Sequence, residues 1–217
     1  MALPNLHSRK RLKVLIADDV QETRRNTRLM LATIDDVEVV AIASNGLQAV
    51  QFAAEQRPDI VLLDINMPEM DGLSAYREIA KARPETGCII ISAEKDAETF
   101  RTAISVGVQE YLIKPFTGDE LEEAIAKVRV RVEEAQQRIL QDTQVRKQRE
   151  VFLVQLATEY SKTRRTDDQA MEVFEQLAAN PQCEPRWLQT LAMIYVVRQK
   201  WDRLKILAGK LEQKTNK

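Results

Sequence analysis

Up to about residue 117 the chain alternates short apolar runs with amphipathic segments, and this alternation limits the architecture more than any other feature. The apolar runs at 12–17, 37–43, 59–63, 87–91 and 109–112 predict strands. The intervening segments near 20–33, 46–56, 72–83 and 96–106 carry helical spacing. Strands that alternate with helices pair in parallel, and the helices cover the sheet. The runs 60–63 and 88–91 are apolar throughout, as strands buried on both faces must be. Gly46, Gly72, Gly87 and Gly107 punctuate the connections. The expected class is therefore α/β, with a doubly wound, five-stranded parallel sheet.

Two of these strands end on acids. Leu12-Lys13-Val14-Leu15-Ile16-Ala17 runs into Asp18-Asp19, and Ile60-Val61-Leu62-Leu63 runs into Asp64. Open α/β sheets bind ligands at the carboxyl ends of their strands. Three carboxylates at two neighbouring strand ends make a hard-oxygen pocket suited to Mg²⁺. Taken singly, these residues have ordinary explanations. A lone aspartate after a strand is a turn residue, and Asp18-Asp19 alone would serve as a helix cap.

The composition narrows the chemistry. The single histidine, His7, lies near the start of the sequence, so general-base chemistry in the core falls to carboxylates, lysines and hydroxyls. Cys88 and Cys183 lack metal-ligand spacing, which fits a reducing, cytoplasmic setting. Residues 1–7 have no charged head followed by an apolar core and are not expected to act as a signal peptide. No stretch has the roughly 18–20 apolar residues of a membrane span. The net charge of −1 argues against a basic nucleic-acid surface.

Beyond residue 118 the pattern is helical only. Leu121, Ile125, Val128, Val132, Ala135 and Ile139 continue a fifth helix past the sheet, with Thr117 or Asp119 as its cap. The stretch 136–150 is strongly polar and reads as a helical linker. The block from Phe152 to Tyr160 then aligns with the block from Trp187 to Tyr195 at an offset of 35 residues. The aromatic-Leu-x-x-Leu-Ala-x-x-Tyr pattern, followed by Ala170, Phe174 and Pro181, resembles a tetratricopeptide repeat. The second unit departs from it. Lys205 and Gly209 stand where the first unit has Ala170 and Phe174, which leaves its second helix without the packing residues of the pattern.

Residues 11 to about 128 resemble the receiver domain of two-component response regulators, of the chemotaxis-regulator kind. The resemblance rests on Asp18-Asp19, Asp64 within Leu-Asp-Ile-Asn-Met-Pro-Glu-Met-Asp-Gly, Ser92, Tyr111 and Lys114-Pro115, in that order. It implies a flavodoxin-like sheet of order 2-1-3-4-5. It also implies that Asp64 accepts a phosphoryl group from a histidine kinase or histidine phosphotransfer protein. Asp19, Asp64 and the backbone carbonyl of Asn66 would hold Mg²⁺, and Asp18 would act mainly through water. Lys114 would contact the transferred oxygens. Ser92 and Tyr111 would form the switch, and the Lys114-Pro115 bond would be cis. Asn66 and Glu94 would tune the phosphoryl lifetime, although from the residues alone they are equally ordinary loop positions.

The expected organisation is a tail at 1–10, a receiver at 11–130, a linker continuing the fifth helix at 131–150, and an all-α repeat-like domain at 151–217. The last region carries no Gly-rich phosphate loop, metal-ligand cluster or nucleophile–base pair, so no catalysis is expected beyond the protein's own phosphoryl transfer and autodephosphorylation. From residue 118 onward there are 18 Lys/Arg against 16 Asp/Glu, a net of +2, which leaves −3 for the remainder. That difference is small for a DNA-binding tail, and the basic residues are interleaved with acids and glutamines. A protein partner for the helical tail, or a homodimer through the fifth helix, is the preferred output. The alternatives are a DNA-binding transcription regulator and a phosphate shuttle.

Overall fold

The computed structural model describes residues 11–93 and 97–215. Five parallel strands, β1 (Leu12–Ala17), β2 (Val37–Ala43), β3 (Ile60–Asp64), β4 (Gly87–Ser92) and β5 (Glu110–Ile113), form one sheet of order β2-β1-β3-β4-β5. Helices α1 (Gln21–Leu31), α2 (Gly46–Gln56), α3 (Gly72–Ala82) and α4 (Ala97–Val106) lie between the strands in sequence, and α5 (Gly118–Lys162) follows them. This is the flavodoxin-like arrangement that the alternation predicts.

Successive strand residues point to opposite faces, and the core divides accordingly. Leu15, Val61, Leu63, Cys88 and Ile90 face α2, α3 and α4, meeting Ala49, Ala53, Ile79 and Ala103. Val14, Ile16, Ile60, Leu62, Ile89 and Ile91 face α1 and α5, meeting Leu31, Leu121, Ile125, Val128 and Val132. Every residue of β3 and β4 is buried, which explains their uninterrupted apolar character.

Helix α5 begins with a reciprocal cap. Thr117 Oγ1 accepts from the Glu120 amide at 3.2 Å, and the Glu120 carboxylate accepts from the Thr117 amide at 2.8 Å. Thr117, not Asp119, is therefore the capping residue. The helix lies so close to β4 that a methyl group on Gly87 would come within 2.4 Å of Val128 Cγ1 and 2.8 Å of Val132 Cγ2. Gly87→Val should destabilise the sheet domain by roughly 1–3 kcal/mol through overpacking, as measured by urea unfolding. An unchanged midpoint would mean that α5 rides up without cost. Further along, Gln136 Nε2 donates to Asp59 Oδ1 at 2.8 Å, and Arg131 donates to the Gln109 carbonyl at 3.2 Å. These bonds fasten the helix to the sheet past residue 130. The described residues divide into two compact units on either side of Arg138 and Ile139, and α5 contributes to both.

The second unit is helical. After the last turns of α5 come α6 (Asp168–Ala178), α7 (Pro185–Val197) and α8 (Trp201–Thr215). Asp167 caps α6 by accepting from the Ala170 amide at 3.0 Å. Ala157, Phe174, Trp187, Leu188, Leu191, Ile194 and Leu207 share one core. The 35-residue alignment is not an alignment of environments, since Trp187 is buried whereas its counterpart Phe152 is exposed. Helix α8 forms although Lys205 and Gly209 break the pattern. It packs through Leu204 and Leu207 instead.

Candidate functional site

Strand register assembles the site. Ala17 of β1 lies beside Leu63 of β3, so the acids that follow each strand emerge side by side. Asp64 pairs with Ile91 of β4, and Ser92 pairs with Ile113 of β5, immediately before Lys114. The outcome is a cluster in which carboxylate oxygens of Asp18, Asp19 and Asp64 all lie within 4.8 Å of one another. Asp18 and Asp64 are only 2% and 5% exposed, whereas Asp19 faces solvent. Lys114 Nζ bridges the two buried acids, 2.7 Å from Asp18 Oδ2 and 2.9 Å from Asp64 Oδ1. The Lys114 amide donates to the Ser92 carbonyl at 2.8 Å, and the Lys114-Pro115 bond is cis.

The electrostatics are opposed. Burial raises the pKa of Asp64, Lys114 lowers it by hydrogen bond and charge, and Asp18 and Asp19 raise it again; the net shift is upward. For Lys114, burial disfavours the ammonium, but its bonds to Asp18 and Asp64 outweigh this and raise its pKa. Three carboxylates against one ammonium leave an excess of negative charge in a mostly buried, hard-oxygen pocket. That donor set fits a divalent cation such as Mg²⁺.

The other predicted residues occupy distinct places. Ser92 is fully buried at the end of β4. Asn66 is exposed in the loop after β3. Tyr111 lies on β5 beside Ile90, with its ring 5.7 Å from that of Phe100 in an edge-to-face contact. Glu94 and His7 fall outside the described residues.

Several supporting contacts have no signature in the strand-and-helix pattern. Asp18 Oδ1 accepts from the Val20 amide at 2.8 Å, and Arg24 donates to the Asp18 carbonyl at 2.6 Å; together they hold the β1–α1 loop. Asn45 Nδ2 donates to Glu69 Oε1 at 2.8 Å and so ties the loop before α2 to the loop after β3. Asp71 caps α3 by accepting from the Ser74 amide at 2.8 Å. Partial burial works against the Asp71 carboxylate, yet the Ser74 hydrogen bonds hold its pKa below the usual value. At Gly72 a Cβ would stand 2.1 Å from the Asp64 carbonyl oxygen, so only glycine permits the loop to close on the end of β3. The Asp71-Gly72 pair in the motif was the available signal for both.

A five-stranded sheet of this order, with an acid cluster and a lysine at its carboxyl edge, defines a receiver-type module. The sequence pattern of the response regulator receiver domain matches residues 14–126, and the chain belongs to that family. Chemotaxis protein CheY of Listeria monocytogenes is 42% identical over 116 residues, covering 54% of this chain and 97% of that protein. YhcZ, an uncharacterized transcriptional regulatory protein of Bacillus subtilis, is 38% identical over 110 residues, which is 51% of each chain. The chain thus spans about half the length of this relative. Among solved structures, the receiver domain of AraT, a response regulator from Geobacillus stearothermophilus, superposes with a TM-score of 0.52 at 34% identity, covering 58% of this chain and 98% of that one. Receiver domains generally bind Mg²⁺ in an acidic pocket, and here Asp18, Asp19 and Asp64 form such a cluster. No helix among the described residues is long and apolar enough to cross a membrane.

Proposed function

We propose that this protein is a phosphorelay response regulator that takes a phosphoryl group on Asp64 and thereby switches a partner-binding or dimerisation surface. The observation that carries the reading is the Asp64 carboxylate, buried among two other acids and bridged to Asp18 by Lys114. A carboxylate oxygen of Asp64 forms a bond to phosphorus while the bond from phosphorus to the donor's imidazole nitrogen breaks, and the electron pair leaves with the imidazole. The donor is a histidine kinase or a histidine phosphotransfer protein, in the cytoplasm. Asp19, Asp64 and the Asn66 carbonyl would hold Mg²⁺, and Asp18 would act through water. When bound, Mg²⁺ neutralises charge on the carboxylate and on the incoming phosphoryl group.

Lys114 already stands against Asp64, where its ammonium can meet the transferred oxygens. Ser92 donates its hydroxyl to a phosphoryl oxygen and Tyr111 follows into the vacated space, which biases the surface near α4 and β5. That surface carries the exposed Phe100, Ile104 and Ile113. Beyond phosphoryl uptake and loss, the protein does no catalysis of its own. The output is the tetratricopeptide-like helical unit, which binds a protein. The shared core of α6, α7 and α8 supports this assignment.

Molar mass by light scattering, in Mg²⁺ with and without beryllofluoride, tests the reading. Fluorine NMR should report an adduct that Asp64→Asn abolishes. A doubled mass assigns the output to dimerisation, and an unchanged mass assigns it to a partner. An adduct that never forms, or that forms equally on Asp64→Asn, overturns the assignment. The transcription-regulator relative favours a second reading in which the tail contacts DNA. Salt-sensitive binding of duplex DNA by the full chain would support it.

A further inference from the structure

The helical unit contains a groove of about 760 Å³. The end of α5 and the turn after it form one wall, and α7 forms the other. Arg164, Arg165 and Arg186 line it, and no carboxylate is among its lining residues. Met193, Ile194 and Val197 supply an apolar strip. Met193 is 69% exposed and Val197 59%, so two large apolar side chains of this strip face solvent.

Two of the arginines are held in place. The Arg165 guanidinium lies 4.2 Å from the centroid of the Tyr160 ring, and that of Arg186 lies 4.3 Å from the Trp187 ring. Stacking of this kind fixes a planar fork before any ligand arrives, which lowers the ordering cost of binding. Each also has a local acid, Asp167 for Arg165 at 2.7 Å and Glu184 for Arg186 at 2.8 Å. These pairs are partly exposed and close in sequence, and such surface pairs are weak and exchangeable. Ser161 lines the same groove, and its hydroxyl oxygen is buried without a hydrogen-bond partner. A buried hydroxyl left in that state awaits a donor or acceptor.

We propose that this groove is the docking site for an acidic peptide segment of a partner protein, one apolar residue of which seats on Met193, Ile194 and Val197 while flanking carboxylates meet Arg164, Arg165 and Arg186. The proposal rests on the reading of the helical unit as a protein-binding module and specifies its ligand. Charge complementarity selects acidic residues, and the apolar strip selects a peptide over a purely phosphate-bearing ligand.

The test uses the full chain and a phage-displayed library of random dodecapeptides. The expected result is enrichment of peptides that carry Asp or Glu around a Leu, Ile or Phe. Synthetic copies of the enriched peptides should bind the Arg164→Glu/Arg186→Glu variant about tenfold more weakly, and should weaken with added salt. Both arginines are exposed in the free protein, and circular dichroism checks that the variant keeps its helices. Hydrogen exchange on the unaltered chain provides an independent readout, with protection expected at residues 160–166 and 186–197. Enriched peptides that are not acidic, or that bind the variant equally well, overturn the proposal. Protection elsewhere within 139–215 overturns the groove but leaves a protein-binding tail. Protection confined to residues 11–138 overturns both. A 20-base-pair duplex that protects the groove where no peptide does replaces the peptide with nucleic acid and overturns the proposal as well.

Discussion

Asp64→Asn should stop phosphoryl uptake entirely and, in the absence of metal, make the sheet domain more stable at neutral pH. The first effect follows from the chemistry, since an amide oxygen is no nucleophile towards phosphorus at neutral pH. Phosphate-affinity electrophoresis after incubation with acetyl phosphate and Mg²⁺ measures it. Uptake that persists would mean another side chain is the acceptor. The second effect follows from linkage. The folded state raises the pKa of Asp64 above its ordinary 3.8, chiefly by burial. A raised carboxylate pKa means that the folded state binds the proton more tightly than the unfolded chain does. Its contribution is favourable below pH 3.8 and is lost as pH rises through the folded value. At pH 7 the ionised Asp64 therefore subtracts from stability, and the neutral asparagine removes that penalty while its oxygen can still accept from Lys114. A gain on the order of 1 kcal/mol would raise Tm by about 4 °C. The difference between variant and parent should shrink towards zero as pH falls below 3.8, where Asp64 is neutral in both states. Calorimetry in EDTA across that range measures it. A variant less stable than the parent at pH 7 would mean that the Lys114 bond outweighs burial.

The contrast between what was and was not readable from the sequence has a physical origin. Asp18, Asp19, Asp64 and Lys114 were legible because each lies at or just after the carboxyl end of an apolar strand, and parallel register brings such residues together whatever the loops do. The bracing around them was not. The Asn45–Glu69 bond joins loops 24 residues apart in sequence, and no local pattern announces it. The apolar run 59–63 predicts β3, which runs from Ile60 to Asp64; at its entrance the Asp59 side chain accepts from the Lys13 amide at 3.0 Å, a contact with no local signature. Helix α8 departs from the repeat pattern at Lys205 and Gly209 because its contacts to the helical core run through Leu204 and Leu207, so those two positions need not be apolar. Exposure of Phe152 against burial of Trp187 has a related cause. Trp187 packs on Phe174 of α6, the helix preceding its own, with ring centroids 6.0 Å apart. Phe152 sits on the first helix of the unit, before any such neighbour in sequence.

Lys114→Met should cost the metal-free protein more than any other single change at the site, and added Mg²⁺ should return part of the loss. Methionine keeps the length of the side chain but not the ammonium that bridges Asp18 and Asp64. Both acids are buried, and removing one partner of a buried charge pair costs roughly 3–5 kcal/mol. The sign of the Lys114 shift agrees. Its pKa is raised above 10.5, so its contribution is present in full below that pH and is lost only as pH climbs through the folded value. At pH 7 the whole contribution is available to be lost. With the ammonium gone, the three carboxylates retain their mutual repulsion and their affinity for a divalent cation, so metal stabilises the variant through binding to the folded state alone. Urea unfolding of parent and variant, in EDTA and again in millimolar Mg²⁺, separates the two terms. The expected pattern is a large deficit in EDTA that narrows with Mg²⁺. Equal stability in EDTA would show that the acids are neutralised by protonation rather than by Lys114. If Mg²⁺ stabilises neither protein, the cluster does not hold the metal; an equal gain in both, which leaves the deficit untouched, would show that Lys114 does not affect metal affinity. Asp64→Asn and Lys114→Met are thus expected to move metal-free stability in opposite directions, and that opposition distinguishes a strained acid cluster held by one lysine from a site in which either change simply damages packing.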